Sequence, residues 1–482
     1  MANPKIELKM DKGSIIADPS NPELKIKAQQ ISQQLTQIQS QFKAESKEDK
    51  IAYYRAWSIV PDVNGEHIQN VLSCAKDIRE KKAFVTIGVG GSDLCARLFH
   101  ELINPTYYNS MKSRGGAPEI YFTGDTFDPR GLYGLLRILK EKEILGETMF
   151  HIVSKSGKTG ETFASAMIIR EWLINAGVTN WRNQIIATTG GDESSVLFQM
   201  NKQKPFHKLL VMPDGVGGRF SAFTSVGLLL LAVTAIDPET PEVRIKKAIN
   251  GIEYANEIFE RPCDHRENIP YRLAEWLHIA ESMGKSIMEF YDYADQRFLA
   301  DWFVQLYDES VQERGQGLTV RPLRGPTCNH SALNGIINGP RDKVVLFINW
   351  ENLWDKIDGE TEPSIPIYVD VKDKELSELG GLKLSQLQKA SYSGTAEDFT
   401  DNGIPNVTLA IQERDIENVS ALMRILMDTT AVKGRLQNLH LDENGLFDLE
   451  HELTYLQPGV EGYKQKTRKN AQKMQAELKK RS

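Results

Sequence analysis

Cysteine is scarce in this chain: Cys74, Cys95, Cys263 and Cys328 are the only four among 482 residues. None forms a C-x-x-C pair, which argues against a disulfide framework and against a cysteine zinc site. Free thiols in a reducing cytosol are the simplest reading. Long apolar runs are also missing. The longest, Val226 to Ile236, is interrupted by Gly227 and Thr234. It is too short to span a bilayer and reads as a buried helix. The opening Met-Ala-Asn-Pro-Lys has no charged segment followed by an apolar one, so no secretory leader is expected. Excess positive charge is absent as well. The net charge is −7, so no overall field draws the chain to nucleic acid or to an anionic membrane. The expectation is a cytoplasmic protein that engages neither.

What is present looks like an ordinary globular protein, with 40% hydrophobic and 26% charged residues. A chain of 482 residues is too long for one core and suggests two or three domains. Residues 22–46 form a Gln-rich helix candidate with Leu24, Ile31, Leu35, Ile38 and Phe42 on one stripe. The pattern is too short for a coiled coil and reads as a helix lying on its own core.

From about 80 to 245 strands alternate with helices. Strand candidates are 83–88, 119–123, 148–153, 185–189 and 208–212, with helices at 93–103, 129–141, 160–176, 193–202 and 219–235. Such alternation argues for an α/β fold, a parallel sheet covered on both faces. A second α/β unit follows. Its strands are near 286–291, 318–321, 343–349 and 406–411, and its helices near 271–283, 296–312, 330–337, 375–392 and 415–435. The stretch 350–405 reads as a surface excursion, and 459–481 as a long polar helix rich in Lys and Arg. The chain therefore divides into an N-terminal helical segment (1–79), two α/β domains (80–245 and 246–440) and a C-terminal helical tail (441–482).

Two segments look like halves of one phosphate cradle. Gly88-Val89-Gly90-Gly91-Ser92 and Ser154-Lys155-Ser156-Gly157-Lys158-Thr159 each follow a strand and open a helix. Backbone amides and hydroxyls at such a junction converge on one point, which suits a phosphate. A dinucleotide fingerprint would need Gly at 93, where Asp stands, and a nucleotide P-loop would need Gly at 152, where Ile stands. Nicotinamide and nucleotide binding are therefore disfavoured. Three hydroxyls in six residues, plus two lysines, exceed what helix capping requires.

Further candidates lie downstream. In Gly217-Gly218-Arg219-Phe220-Ser221 the glycines let the backbone approach a ligand, and Arg219 is placed to stabilise an oxyanion or to pair with a surface carboxylate. Asp308-Glu309-Ser310 ends a helix rich in aromatics, and a carboxylate there could be raised toward neutrality, as a general base needs. His330 sits in a Gly-Pro-Thr-Cys-Asn loop with no metal-ligand spacing around it. Gln457-Pro458-Gly459-Val460-Glu461-Gly462-Tyr463-Lys464 opens the basic tail.

Taken together, and in this order, these segments resemble the glucose-6-phosphate isomerase family of the sugar-isomerase (SIS) superfamily. Gln305-x-x-x-Glu309-Ser310 is similar to the family's Q-x-x-x-E-S, and Gln457-x-Gly459-Val460-Glu461-x-x-Lys464 to its Q-x-G-V-E-x-x-K. The resemblance implies two SIS-type α/β/α sandwiches with parallel sheets and a C-terminal helical tail. It implies a sugar-phosphate substrate held by Gly91, Ser92, Ser154, Lys155, Ser156, Thr159, Gly218, Gln305 and Gln457. It also implies the roles: Glu309 as the base, Arg219 for the enediolate, and His330 with Lys464 for ring opening. No metal or redox cofactor is implied, and a homodimer with His330 acting in the partner's site is. Departures lie at the rim: Val311-Gln312-Glu313 follows Ser310, Asn329 precedes His330, and Pro458 follows Gln457. They bear on substrate preference. An isomerase favouring mannose 6-phosphate and a non-catalytic sugar-phosphate sensor are the alternatives.

Overall fold

The computed structural model describes residues 4–16, 20–47, 54–354, 361–366, 377–448 and 451–481. Strand β1 (Ile6–Lys9) and helices α1 (Pro22–Lys47) and α2 (Glu66–Arg79) precede the first α/β unit. That unit runs β2 (Ala83–Ile87), α3 (Leu94–Ile103), β3 (Glu119–Thr123), α4 (Pro129–Glu141), β4 (Thr148–Val153), α5 (Gly160–Asn175), β5 (Ile185–Gly190), α6 (Val196–Gln203) and β6 (Lys208–Met212). Helices α7 (Ser225–Val233), α8 (Pro241–Glu260) and α9 (Ile269–Ser282) lead to the second unit. It comprises β7 (Ile287–Asp292), α10 (Phe298–Val311), β8 (Thr319–Arg324), α11 (Leu333–Asn338), β9 (Lys343–Asn352), α12 (Leu384–Asp401), β10 (Asn406–Glu413) and α13 (Ile416–Leu436). Helix α14 (Glu461–Arg481) closes the chain.

Two five-stranded sheets result, ordered β3-β2-β4-β5-β6 and β1-β10-β9-β7-β8. All pairings in the first are parallel. Every residue of β2 and of β4 is buried, as expected for strands covered on both faces. Their side chains alternate between two cores. Ala83, Val85 and Ile87 face Leu132, Leu136 and Ile169, whereas Phe84 faces the cluster that holds the apolar helix α7. Helix α7 is buried along its whole length, so it needs no polar face.

Several expectations are corrected. The N-terminal segment is not purely helical: β1 joins the second sheet, antiparallel to β10, so that sheet is not wholly parallel. The helix expected over 219–235 begins only at Ser225, because Gly218–Phe220 form a separate short turn. Helix α8 escaped the sequence reading, since its buried face carries Arg244 and glycine among the apolar residues. The helix expected at 375–392 stands at Leu384–Asp401, and residues 375–376 lie outside the described residues. The 350–405 stretch is no simple surface excursion, because α12 buries Thr395 and Phe399 beside Phe347. The stripe on α1 packs as expected, with Ile31, Leu35, Ile38 and Phe42 buried.

His151 sits in the middle of β4, stacked on Phe84, with Nε2 2.7 Å from Thr188 Oγ1. Burial lowers its imidazole to about 3. Below the ordinary value of 6.5 the unfolded chain takes up a proton that the folded chain refuses, so His151 costs stability as the pH falls. Above pH 7 the stability difference between wild type and His151→Gln is expected to be constant. Below pH 6 the wild type should lose about 1.4 kcal/mol per pH unit relative to the variant. Urea denaturation across pH 4–8 measures this, and a pH-independent difference would contradict it.

Candidate active site

In the first sheet the chain passes from β2 to β3 on one side, then crosses to β4 on the other. The crevice beyond the carboxyl ends of β2 and β4 is therefore a topological switch point, where open α/β sheets bind ligands. Both candidate phosphate segments lie there. Ser92 is half-buried at the end of the first, and Ser156 is exposed in the second. Buried Ser154 shares a 2.9 Å hydrogen bond with Thr159 Oγ1. Thr159 stands at the N-cap of α5, but its hydroxyl makes no capping bond. The first amides of α5 are thus left to an incoming anion. Ser156 Oγ accepts from the Lys158 amide at 3.2 Å, and Lys155 Nζ donates to the Val216 carbonyl at 2.8 Å.

The Val216 contact leads to the third motif. A β-carbon on Gly91 would lie 2.2 Å from the Gly218 carbonyl carbon and 2.5 Å from the Arg219 nitrogen. The first candidate phosphate loop and the Gly-Gly-Arg turn therefore meet backbone to backbone, which only glycine permits. Ser221 Oγ donates to the Gly91 carbonyl at 3.0 Å and locks the contact. Gln305, from α10, packs against the neighbouring Gly90, and its Oε1 is buried without a hydrogen-bond partner among the described residues.

Arg219 joins the parts. Its side chain is 1% exposed. Nε donates to Ser310 Oγ at 2.7 Å, and Nη2 donates to the carbonyls of Thr454 at 2.7 Å and Leu456 at 3.0 Å. Nη1 lies 3.7 Å from Glu309 Oε2. Burial brings Arg219 down to about 10, with Glu309 pulling it back up. Gln457 Nε2 donates to the same Glu309 oxygen at 2.7 Å. One carboxylate oxygen is thus held, and Oε1 takes no hydrogen bond among the described residues. The carboxylate is half-buried at the meeting of α10, the Gly-Gly-Arg turn and the segment before α14.

The desolvated carboxylate beside the aromatics is Asp308, not Glu309. Burial pushes Asp308 up to about 6, against the hydrogen bond it accepts from the Val320 amide at 3.1 Å. That bond anchors the end of α10 to the start of β8. At the other end of α10, Glu101 of α3 accepts from the amides of Arg297 and Phe298 at 2.8 and 2.6 Å. Glu309 therefore rides on a helix tied at both ends.

Two candidates stand apart. Lys464 Nζ pairs with Glu461 at 3.1 Å on α14. Its neighbour Tyr463 donates to Glu161 at 3.0 Å, which brings the start of α14 to the first turn of α5, beside Thr159. His330 is exposed beyond the carboxyl end of β8 and makes no side-chain hydrogen bond among the described residues. Sequence reasoning missed the carbonyls of Thr454 and Leu456 and the Glu101 cap. Backbone acceptors leave no residue-type signal, and Glu101 lies almost 200 positions from its partners.

A family model described as phosphoglucose isomerase matches residues 65–313. Glucose-6-phosphate isomerase of Rubrobacter xylanophilus is 30% identical over 405 residues, covering 83% of this chain and 88% of its own. Its counterpart from Carboxydothermus hydrogenoformans is 30% identical over 423 residues, covering 84% and 85%. Among solved structures, a hypothetical protein of Thermus thermophilus superposes with a TM-score of 0.76 at 28% identity, over 97% of this chain and all of that one. A glucose-6-phosphate isomerase of Chlamydia trachomatis gives 0.67 at 19% identity, over 87% and 78%, a likeness of fold. With the family model spanning both cradle segments, the Gly-Gly-Arg turn and Glu309, this chain belongs to the phosphoglucose isomerase family.

Proposed function

We propose that the chain interconverts glucose 6-phosphate and fructose 6-phosphate by an aldose–ketose isomerisation. The observation that carries this reading is the half-buried Glu309 carboxylate, one oxygen held by Gln457 and faced by Arg219, at the mouth of the phosphate cradle. The phosphate rests on the amides and hydroxyls of Gly91, Ser92, Ser154, Ser156 and Thr159, near Lys155, so that remote binding energy orients the sugar. Gln305 and the Gly218 backbone line the same mouth. Glu309 removes the proton from C2 and leaves a cis-enediolate, whose charge lies beside the Arg219 guanidinium. Glu309 then delivers the proton to C1, and with the hydroxyl proton passed from O2 to O1 the C2 carbonyl forms. Holding Oε2 fixes the plane of the carboxylate and leaves Oε1 for the carbon-bound proton.

Ring opening falls to His330 with Lys464, and the topology favours a His330 from a second copy. Glu309 lies beside the start of β8, because Asp308 binds the Val320 amide. His330 lies beyond the end of β8, a strand of 6 residues. Such a strand spans about 20 Å, farther than a sugar phosphate reaches. A two-fold homodimer brings one subunit's His330 to the other's Glu309.

Glu309→Gln is expected to lower kcat by about 10²–10⁴-fold in a coupled assay of fructose 6-phosphate, with KM little changed. Wild-type activity in the variant would remove Glu309 as base. An inactive wild type that binds the sugar phosphate would favour the sensor reading. Gly91→Ala forces the loops apart and is expected to reduce kcat/KM on the order of 10²-fold. Normal kinetics would show that the cradle does not depend on this contact. Mixing the impaired His330→Ala with the impaired Glu309→Gln under subunit exchange is expected to raise activity on fructose 6-phosphate to about a quarter of wild type, from the one intact site of each mixed dimer. A mixture no faster than the two variants apart would place both residues in one subunit's site.

A further inference from the structure

The residue before His330 is bound far more tightly than His330 itself. Asn329 Nδ2 donates to Tyr293 Oη and to Thr395 Oγ1, each at 2.9 Å, and Tyr291 Oη donates to Asn329 Oδ1. Both donors and the acceptor of one carboxamide are thus engaged. The partners are rigid. Tyr291 and Tyr293 are 0% and 1% exposed, packed with Phe347 and Phe399 in a single aromatic cluster. Tyr293 Oη and Thr395 Oγ1 are 2.6 Å apart, and both bind the Ser391 carbonyl of α12. The loop has further ties: Gln388 of α12 donates to the Gly325 carbonyl at 2.8 Å, and the Asn329 amide donates to the Pro326 carbonyl at 2.9 Å.

A polar side chain placed among buried rings costs stability unless every group is paired, so this geometry tolerates little displacement. The adjacent imidazole, by contrast, projects from the surface with no side-chain hydrogen bond among the described residues. An exposed histidine that must meet a substrate on another subunit gains accuracy only from its backbone. We propose that Asn329, held by Tyr291, Tyr293 and Thr395, is the positioning residue for His330 and so sets the rate of ring opening without touching substrate. The inference rests on the isomerase reading and on the ring-opening role of His330.

Ring opening can be separated from proton transfer by substrate. Fructose 6-phosphate must open; 5-deoxyfructose 6-phosphate lacks the hydroxyl that closes the furanose and arrives open. Asn329→Leu is expected to lower kcat/KM for fructose 6-phosphate at least about 10-fold while changing that for the 5-deoxy substrate less than about 2-fold. Tyr291→Phe removes a single hydroxyl from the core and should show the same selectivity, more weakly. The double variant Asn329→Leu, His330→Ala should be no slower on fructose 6-phosphate than His330→Ala alone, because the two act as a unit. Equal losses on both substrates, no loss on either, or additive losses in the double variant would each overturn the positioning role. A wild type active on neither substrate would overturn the isomerase reading and this inference with it. A wild type active on both, with variants of unchanged selectivity, would overturn this inference alone.

Discussion

The arrangement of this protein depends on one buried cation, the guanidinium of Arg219. A charge removed from water costs several kcal/mol unless its donors are satisfied. Here they are met by two separate parts of the chain: the neighbours Glu309 and Ser310 at the end of α10, and the carbonyls of Thr454 and Leu456. None of these can move without stranding the charge. The guanidinium therefore does two things. It ties the first sheet's Gly-Gly-Arg turn to α10 and to the segment that leads into α14, and it keeps a positive charge 3.7 Å from Glu309.

The segment that supplies those carbonyls is itself held by a second buried network. Arg435 of α13 binds Glu452 through Nε and Nη2 at 3.2 and 3.0 Å, and binds Glu45 of α1 at 2.6 Å. Glu45 also accepts from Arg55 at 2.7 Å. Breaking a buried pair by removing one partner typically costs about 3–5 kcal/mol, although the intact pair adds little over a well-packed apolar alternative. Its effect is to admit one position for residues 452–457, and with it one position for Gln457 on Glu309. Aromatic stacking joins the two networks, since Trp57 lies on Phe220 with centroids 4.8 Å apart and Tyr455 packs edge-on to the same ring.

The two sheets share a topology but not a use. Read inward from the edge strands β3 and β8, β3-β2-β4-β5 and β8-β7-β9-β10 have the same order. In the first sheet the switch point opens onto glycine and hydroxyl loops. In the second it is filled. Asp292, at the end of β7, accepts from Trp350 Nε1 at 3.3 Å and from Gln296, and burial pushes it up to about 7. The second sheet contributes instead at both of its ends: Glu309 beside the start of β8, and the His330 loop beyond its finish. One α/β unit thus leaves its switch point open, while the other sets Glu309 and the His330 loop at opposite ends of one strand.

Much of this was legible in the residues. Continuous apolar runs such as Ala83–Ile87 and Thr148–Val153 identify strands buried on both faces, because no polar side chain needs water there. Glycine and hydroxyl clusters at strand ends mark the candidate cradle, because few other residues present backbone amides to an anion. The motifs from Gly88 to Lys464 point to the family without coordinates. Other features depend on distant partners. The four residues of β1, Ile-Glu-Leu-Lys, alternate apolar and polar, but so short a pattern does not name its partner, and the strand is fixed by pairing with β10. Helix α13 carries Arg424, Lys433 and Arg435, yet it is buried throughout because Asp428, Glu281, Glu45 and Glu452 meet these cations. Adjacent Asp308 and Glu309 are chemically alike in sequence. They are separated by about 100° around α10, and only packing decides that Asp308 faces Val320 while Glu309 faces Arg219 and Gln457. Local pattern determines which elements form and what chemistry they carry; the direction each group faces follows from contacts hundreds of residues apart, which no local pattern encodes.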